Sequence, residues 1–263
     1  MKRMAFFVYG VVGHLLFLGI YAWLALFLGG LILPKTIDAP VRDSFWTALV
    51  IDMGLMAIFA LQHSVMARPT FKAAWTRLVP KPIERSTYVY ASCAVTALLM
   101  WQWRAIDLIM WDIHHPVGRW LMWGLFAAGL LMVPAVSLLI SHFDLFGTRQ
   151  VWLHLQGKEY RSLPFRTPSI YSQIRHPLYV GWMISFWAIP TMTAGHMLFA
   201  ALMTAYMMIA VIFEERNLVE YFGAEYEEYQ RRVPKYIPWA RGGKPAAEQP
   251  RLPQITRVAT SEA

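Results

Sequence analysis

Long apolar runs constrain this chain more than any other feature of its sequence. The first, residues 4–33, contains no Asp, Glu, Lys or Arg, and its one histidine is His14. A helix of about 20 apolar residues crosses the roughly 30 Å hydrocarbon core of a bilayer. Inside lipid, backbone groups must find partners within the protein, which restricts such a run to a helix. The sequence therefore predicts a helical membrane protein.

Six runs along the chain are apolar enough to enter a bilayer. They cover residues 4–33, 45–67, 88–103, 120–140, 178–190 and 197–213. The last two are short and only six residues separate them, so we expect a tight helical hairpin. The predicted fold class is all-α: a polytopic membrane protein with about six membrane-embedded helices. We expect one domain, residues 1–239, and a flexible cytoplasmic tail, residues 240–263, because Gly, Pro, Ala and polar residues dominate that end.

The positions of the basic residues predict the orientation. With both termini in the cytoplasm, only four of the 24 Lys and Arg residues lie on the outer side, namely Lys35, Arg42, Arg104 and Arg119. This asymmetry follows the positive-inside rule. Topology and anionic headgroups of the bilayer account for the net charge of +8, so the charge does not indicate a nucleic-acid partner.

A polar motif marks the first foot of the predicted hairpin. Arg175 and His176 precede Pro177, a residue favoured at the first position of a helix. The free N–H groups of a first helical turn, next to two basic side chains, form a natural carboxylate site. Tyr179 falls in the same turn, and Gly181 lets a ligand or a neighbouring helix approach. In the alternative interpretation, Arg175 anchors the membrane interface and His176 caps the helix.

Two adjacent carboxylates mark the second foot of the hairpin. Successive helical residues diverge by about 100°, so only one of Glu214 and Glu215 can point fully into a site. We expect Glu214 to point inward and Glu215 to face solvent or a basic partner. A carboxylate here, opposite the site at His176, would suit a cofactor that carries an amino acid. The alternative is an ordinary charged helix end.

These motifs resemble those of membrane methyltransferases related to isoprenylcysteine carboxyl methyltransferase, over about residues 171–238. The resemblance implies S-adenosylmethionine as cofactor, in a cytoplasmic cleft formed by residues 141–177, the hairpin and the helix of Glu214. It implies cofactor contacts from His176, Pro177, Leu178, Tyr179 and Glu214, and from Tyr171 and Gln156 upstream; Arg175, Gly181 and Glu215 complete the candidate set. Where that family has an arginine for a prenylcysteine carboxylate, this chain has Ala210.

A second resemblance covers nearly the whole chain. Four segments are similar to those of bacterial methanethiol S-methyltransferases: Gln62-His63-Ser64-Val65, Glu84-Arg85-Ser86-Thr87-Tyr88, His142-Phe143-Asp144-Leu145-Phe146-Gly147 and Pro190-Thr191-Met192-Thr193. The resemblance implies a bacterial inner-membrane enzyme that converts methanethiol to dimethyl sulfide. The expected partners are therefore a small thiol substrate and the lipid bilayer.

Methylation of a thiol requires the thiolate, which is the nucleophile. A thiol with a pKa near the roughly 8.5 of cysteine is mostly protonated at neutral pH, so a base or a cationic group should lie close. His142, with Asp144 two residues later and Arg149 nearby, is the first candidate. His63 is the second candidate. Each histidine could instead be a satisfied residue at the membrane interface.

Other chemistries find little support in the sequence. No His-x-x-x-His or Glu-x-x-His pair suggests a metal, and we expect none. No Gly-x-Gly-x-x-Gly follows a predicted strand, which argues against a dinucleotide fold. Two other functions remain open: methylation of a lipid amine or a prenylated thiol, and a non-catalytic membrane transport or accessory role. The sequence does not predict an oligomeric state.

Overall fold

The computed structural model describes residues 1–238, so the predicted tail, 240–263, lies outside the described residues. Within them the chain forms ten α-helices, one 3₁₀ turn and two short strands. The elements in chain order are α1 (Lys2–Leu28), α2 (Phe45–Ala67), α3 (Pro69–Trp75), α4 (Lys81–Gln102), β1 (Ile109–Asp112), α5 (Pro116–Ile140), α6 (His142–Leu145), α7 (Thr148–Leu155), the 3₁₀ turn Ser169–Ser172, α8 (Pro177–Trp187), β2 (Thr191–Thr193), α9 (Ala194–Phe222) and α10 (Ala224–Arg232).

Four of these helices, α1, α2, α5 and α9, are long and apolar enough to cross a membrane. Large apolar side chains on each remain exposed in the isolated chain, for example Leu15, Val50, Leu131 and Ile209. Such surfaces require lipid or protein contact. The predicted multi-pass, mostly helical fold is therefore confirmed. Helix α4 is charged in its first turns and α8 has only 11 residues, so membrane insertion of these two stays a prediction.

The chain also contains a small two-stranded sheet, which the all-α prediction did not include. Strands β1 and β2 pair antiparallel, with Trp111 opposite Met192 and Asp112 opposite Thr191. The pairing joins the α4–α5 connection to the turn between α8 and α9. Strands of three or four residues are too short to show an alternating pattern, which is why the sequence did not indicate them.

Helices α5 and α8 pack closely because small residues face each other. A β-carbon on Gly129 would lie 2.7 Å from the carbonyl oxygen of Gly181 and 2.8 Å from the backbone nitrogen of Ser185. Small residues spaced four apart allow two helix backbones to approach in this way. Gly181 therefore makes room for a neighbouring helix, which is one of the two roles expected for it.

The largest fully buried side chains lie toward the end of the bundle that carries the sheet. Four of them are at most 2% exposed: Trp103, Phe27, Phe186 and Phe199. Trp103 and Phe186 each meet Phe199 edge to face, at ring-centroid distances of 5.7 and 5.2 Å. Aromatic packing of this kind fixes the ends of α1, α4, α8 and α9 relative to one another.

The glycine contact can be tested by adding one methyl group. In Gly129→Ala the new carbon meets backbone atoms, which cannot rotate away, so α5 and α8 must separate. We expect a destabilisation of about 1–3 kcal/mol, seen as a lower thermal midpoint in detergent. Gly124→Ala in the same helix is the control, since nothing lies within 4 Å of its added carbon. A midpoint for Gly129→Ala equal to that of the control would contradict this description of the contact.

Candidate functional site

The carboxylate of Glu215 lies at the centre of a buried ionic cluster between α8, α9 and the segment after α10. Its Oε1 accepts hydrogen bonds from Arg175 Nε at 2.8 Å and from His176 Nε2 at 2.9 Å. Its Oε2 lies 3.1 Å from Lys235 Nζ. Glu215 is only 7% exposed. Of the two orientations expected for this carboxylate, the one toward a basic partner is confirmed.

Arg175 uses the rest of its guanidinium to hold the end of α10. Its Nη1 donates to the carbonyl oxygens of Gln230 and Val233, at 2.8 and 2.7 Å. These carbonyls belong to the end of a helix, where acceptors lack partners within the helix. The backbone N–H of Arg175 also donates to Pro234 O. The alternative interpretation of Arg175 as a membrane anchor is therefore wrong, because its side chain is buried within the protein.

His176 precedes α8, as predicted, but its side chain does not cap the helix. Its ring is bound to Glu215 instead, so the capping alternative is wrong. Because Arg175 Nε and His176 Nε2 both bond to Glu215, these two donor atoms are not free to bind a ligand carboxylate. The first-turn N–H groups of α8 still lack partners within the helix and keep their capacity to bind an anion.

Glu214, which was expected to point inward, is exposed. Successive residues of α9 point in different directions, and Glu215 is the one whose carboxylate lies in the buried cluster. Glu214 nevertheless has a defined position, because the hydroxyl of Tyr179 donates to its Oε2 at 2.7 Å. This bond connects α8 to α9 and leaves Glu214 Oε1 open to a ligand on the surface.

The other predicted cofactor residues are spread around this end of the protein. Pro177 is buried as the first residue of α8 and Leu178 follows it, half-buried. Tyr171 is buried, and its carbonyl accepts from the hydroxyl of Tyr229 at 2.6 Å. Gln156 is exposed at the end of α7, with its backbone bonded to Trp152. Of this group, Pro177 and Leu178 belong to the helix that carries Tyr179.

His63 lies beside the tyrosines that surround Glu214. Its ring stacks on Phe59, with centroids 4.2 Å apart, and meets Tyr88 edge to face at 5.8 Å. Tyr88 interacts electrostatically with Tyr179, whose hydroxyl is bound to Glu214. The second histidine candidate therefore lies beside a tyrosine that is itself near Tyr179.

His142 does not pair with Asp144, contrary to the predicted grouping. Asp144 instead accepts from Arg149 Nη1 at 2.8 Å and from the hydroxyl of Tyr160 at 3.1 Å. Burial raises the pKa of Tyr160. The neighbouring Asp144 raises this pKa further, because an anion nearby opposes a second negative charge. Asp144 and Arg149 thus form an ion pair that anchors the segment after α6.

The partners of His142 are Ser137 and His14. Its Nδ1 lies 2.7 Å from Ser137 Oγ, and its Nε2 lies 3.2 Å from His14 Nε2. Phe17, Phe143 and Phe146 surround the two rings. His14 is a functional candidate that the sequence analysis did not propose. The sequence feature that could have indicated His14 is its position as the one histidine in the first apolar run.

Hydrogen bonding defines which nitrogen of this pair is free. The Ser137 hydroxyl donates to Pro134 O, so its oxygen accepts from His142 Nδ1–H. The Nε2 atom of His142 must then accept from His14 Nε2–H. The remaining lone pair is on His14 Nδ1, which is buried and has no hydrogen-bond partner among the described residues. Burial lowers the pKa of His142, so the neutral ring assumed here is the favoured form near pH 7.

Among residues 1–238 there is no group of three or more His, Cys, Asp or Glu side chains that could hold a metal ion. The absence of a metal stays a prediction. The polar groups described above can bind charged groups and move protons.

Comparison with known proteins adds an independent observation. The chain is 47% identical over 239 residues to the methanethiol S-methyltransferase of Crocosphaera subtropica, covering 91% of this chain and 94% of the relative. It is 42% identical to the methanethiol S-methyltransferase of Mycobacterium tuberculosis, covering 91% and 98%. A more distant match is nurim of Pan troglodytes, 29% identical over 68% of this chain and 72% of nurim. No protein-family model and no solved structure matches.

Removing the carboxylate of Glu215 should test its structural role. In Glu215→Ala, Arg175 and His176 would remain buried without their acceptor, and breaking a buried pair costs about 3–5 kcal/mol. We expect a lower midpoint of thermal unfolding. Glu214→Ala, one residue away, should change the midpoint little because Glu214 is exposed. Equal losses in the two variants would show that Glu215 does not have the central role described here.

Proposed function

We propose that this chain, which belongs to the methanethiol S-methyltransferase family, transfers the methyl group of S-adenosylmethionine to methanethiol and forms dimethyl sulfide. The observation that carries this proposal is near full-length identity of 42–47% to relatives named for that activity. Relatedness of this degree over nine-tenths of the chain supports the reaction more strongly than any single motif does.

The residues at the start of α8 and on α9 fit the methyl donor. Glu214 offers an open carboxylate oxygen, held by Tyr179, to an ammonium group or to ribose hydroxyls. The first-turn N–H groups of α8 offer donors to a carboxylate. When bound, the donor supplies an electrophilic methyl group on a sulfonium. The buried cluster of Arg175, His176 and Glu215 keeps these two binding elements at a constant separation.

Methyl transfer requires an acceptor thiolate in line with the carbon–sulfur bond that breaks. The new sulfur–carbon bond forms with the electron pair of the thiolate, and the donor leaves as a neutral thioether. The thiol proton must therefore go to a base or to solvent before transfer. Holding the reacting atoms about 3–3.5 Å apart can supply much of the rate.

Two histidine sites are candidates for the base. The ring contact of His63 with Tyr88, which interacts electrostatically with the Tyr179 that binds Glu214, supports His63. The pair of His142 and His14 offers a free lone pair on His14 Nδ1, surrounded by phenylalanines. We assign the role to His63 and treat the pair as the alternative.

We also propose an orientation for the chain in the membrane. The cluster around Glu215 lies at the end of the bundle where the predicted cytoplasmic basic residues lie, so we place it and both termini in the cytoplasm of a bacterial inner membrane. A soluble donor such as S-adenosylmethionine can reach Glu214 from there. We include α4 and α8 among about six membrane-embedded helices, with α8 and α9 as the hairpin.

The acceptor assignment rests partly on Ala210. It lies four residues before Glu214 on α9, so the two share a helix face. A family resemblance implies an arginine there in carboxyl methyltransferases, and a methyl group cannot compensate the charge of a carboxylate. Desolvation of an unpaired charge is costly. A small neutral thiol fits this position better than a prenylcysteine.

The function can be tested with purified protein and methyl-labelled S-adenosylmethionine. We expect label to appear in dimethyl sulfide when methanethiol is the acceptor, and kcat/KM to be at least about tenfold lower with a prenylcysteine or a lipid amine. A higher kcat/KM for prenylcysteine would refute the acceptor assignment. Absence of S-adenosylhomocysteine binding by calorimetry, with the protein folded, would favour a transport or accessory role.

Cofactor affinity should depend on Glu214 separately from the fold. Loss of a charge-assisted hydrogen bond costs about 1.5–3 kcal/mol, so Glu214→Gln should weaken S-adenosylhomocysteine binding by about one to two decades. Calorimetry on the folded variant measures this change. Glu220→Gln, which removes an equal charge from an exposed position of the same helix, is the control. Unchanged affinity in Glu214→Gln would remove Glu214 from the site.

The base can be identified from pH–rate profiles of His63→Gln, His142→Gln and His14→Gln. A lost base lowers turnover most at neutral pH, and the loss should shrink as rising pH supplies thiolate directly. We expect this pattern for His63→Gln. If His142→Gln and His14→Gln show it instead, the alternative holds; since burial lowers the pKa of His142, wild-type activity should then persist somewhat below pH 6.5. Three unchanged profiles would indicate that solvent takes the proton.

A further inference from the structure

A second polar site lies at the end of the bundle that carries the sheet. A pocket of about 220 Å³ opens between the loop after α1 and the end of α4. Its lining includes the basic side chains of Lys35, Arg42 and Arg104, the carboxylate of Asp43 and the indole of Trp103. These basic residues are three of the four that the predicted topology leaves on the outer side.

This pocket is remote from the methyl-transfer site. The N–H of Gly195, at the start of α9, donates to Ile106 O, two residues after Arg104. Glu215 lies 20 residues further along α9, which corresponds to roughly 30 Å of helix. The two sites therefore occupy opposite ends of the same helix and cannot share a ligand of small size.

The positive charges in the pocket exceed the negative charge that faces them. Arg104 Nε lies 3.5 Å from Asp43 Oδ2, an ion pair longer than a good hydrogen bond. Burial lowers the pKa of Lys35, and the neighbouring charges of Arg104 and Arg42 lower it further. Asp43 and the buried Asp52 act in the opposite direction without cancelling that shift. An added anion would relieve the repulsion.

Two donor atoms on residues that line the pocket have no hydrogen-bond partner among the described residues. Trp103 is 1% exposed, and its Nε1–H is the first of them. The second is Arg104 Nε, whose ion pair with Asp43 is too long for a hydrogen bond. An indole N–H and a guanidinium N–H can only donate, so the ligand that satisfies them must be an acceptor. Buried donors without partners are uncommon in folded proteins and need an explanation.

We propose that this pocket binds a phosphate group, with Lys35, Arg42 and Arg104 as its cations and the Trp103 indole as a neutral donor. A phosphate oxygen accepts several hydrogen bonds at once, and guanidinium groups match its geometry. The phosphate can belong to an anionic lipid headgroup at the membrane surface or to inorganic phosphate in solution. The proposal does not depend on the methyl-transfer assignment.

The site can be tested by binding to the full chain in detergent. Inorganic phosphate and short-chain phosphatidylglycerol are titrated separately, and the rise in thermal midpoint gives an apparent Kd for each. Short-chain phosphatidylcholine, whose phosphate is paired with a cation of its own, is the comparison lipid. We expect Lys35→Gln and Arg42→Gln each to weaken binding by about tenfold or more. Trp103→Phe, which keeps the ring and removes the N–H, should weaken it less.

Arg119→Gln is the matched control, since it removes a charge at the same end of the bundle from a residue bound to Asp112, outside the pocket. Its affinities should equal those of the wild type. Binding of either ligand, with the expected loss in Lys35→Gln and Arg42→Gln, supports the site. Binding of phosphatidylglycerol alone identifies a lipid headgroup as the source of the phosphate, and binding of inorganic phosphate alone identifies the free ion. No midpoint shift with either ligand, or equal shifts in all variants, overturns the proposal.

Discussion

The arrangement of α8, α9 and α10 around Glu215 depends on this one buried carboxylate. Glu215 binds Arg175, His176 and Lys235, which come from the start of α8 and from the segment after α10. A charge with so little exposure is tolerated only when its partners surround it. Because Arg175 also holds the last carbonyls of α10, a single ionic cluster sets the relative positions of α8, α9 and α10. The cluster thereby also sets the distance between the first-turn N–H groups of α8 and Glu214 on α9.

The outline of the membrane fold could be read from the sequence because it depends on local composition. Runs of apolar residues gave α1, α2, α5 and α9, and the preference of proline for a first helical turn gave the start of α8 at Pro177. The alternation of exposure between Glu214 and Glu215 was also foreseen in part. Which of the two is buried was not, since that depends on Arg175 and His176, which lie 40 and 39 residues away in the chain.

The parts that the sequence did not predict depend on contacts between distant segments. His14 and His142 are 128 residues apart and meet only because α1 packs against α7, which follows α6 in the chain. The bonds from Arg175 to the end of α10 could not be predicted for the same reason, since they also join residues far apart in the chain. The grouping of His142 with Asp144 and Arg149 relied on closeness along the chain. In the folded protein, Asp144 bonds to Arg149 and Tyr160, whereas His142 contacts His14 on α1.

The two-stranded sheet has a mechanical consequence. It ties the connection between α4 and α5 to the turn between α8 and α9, so that end of α9 acts as a fixed pivot. Helix α9 has 29 residues and is therefore roughly 43 Å long. A tilt of about 5° around the pivot displaces its far end by nearly 4 Å, whereas atoms beside the sheet scarcely move. A displacement of that size would break the bonds of 2.8 and 2.9 Å from Arg175 and His176 to Glu215, so the ionic cluster restrains α9 at one end and the sheet restrains it at the other.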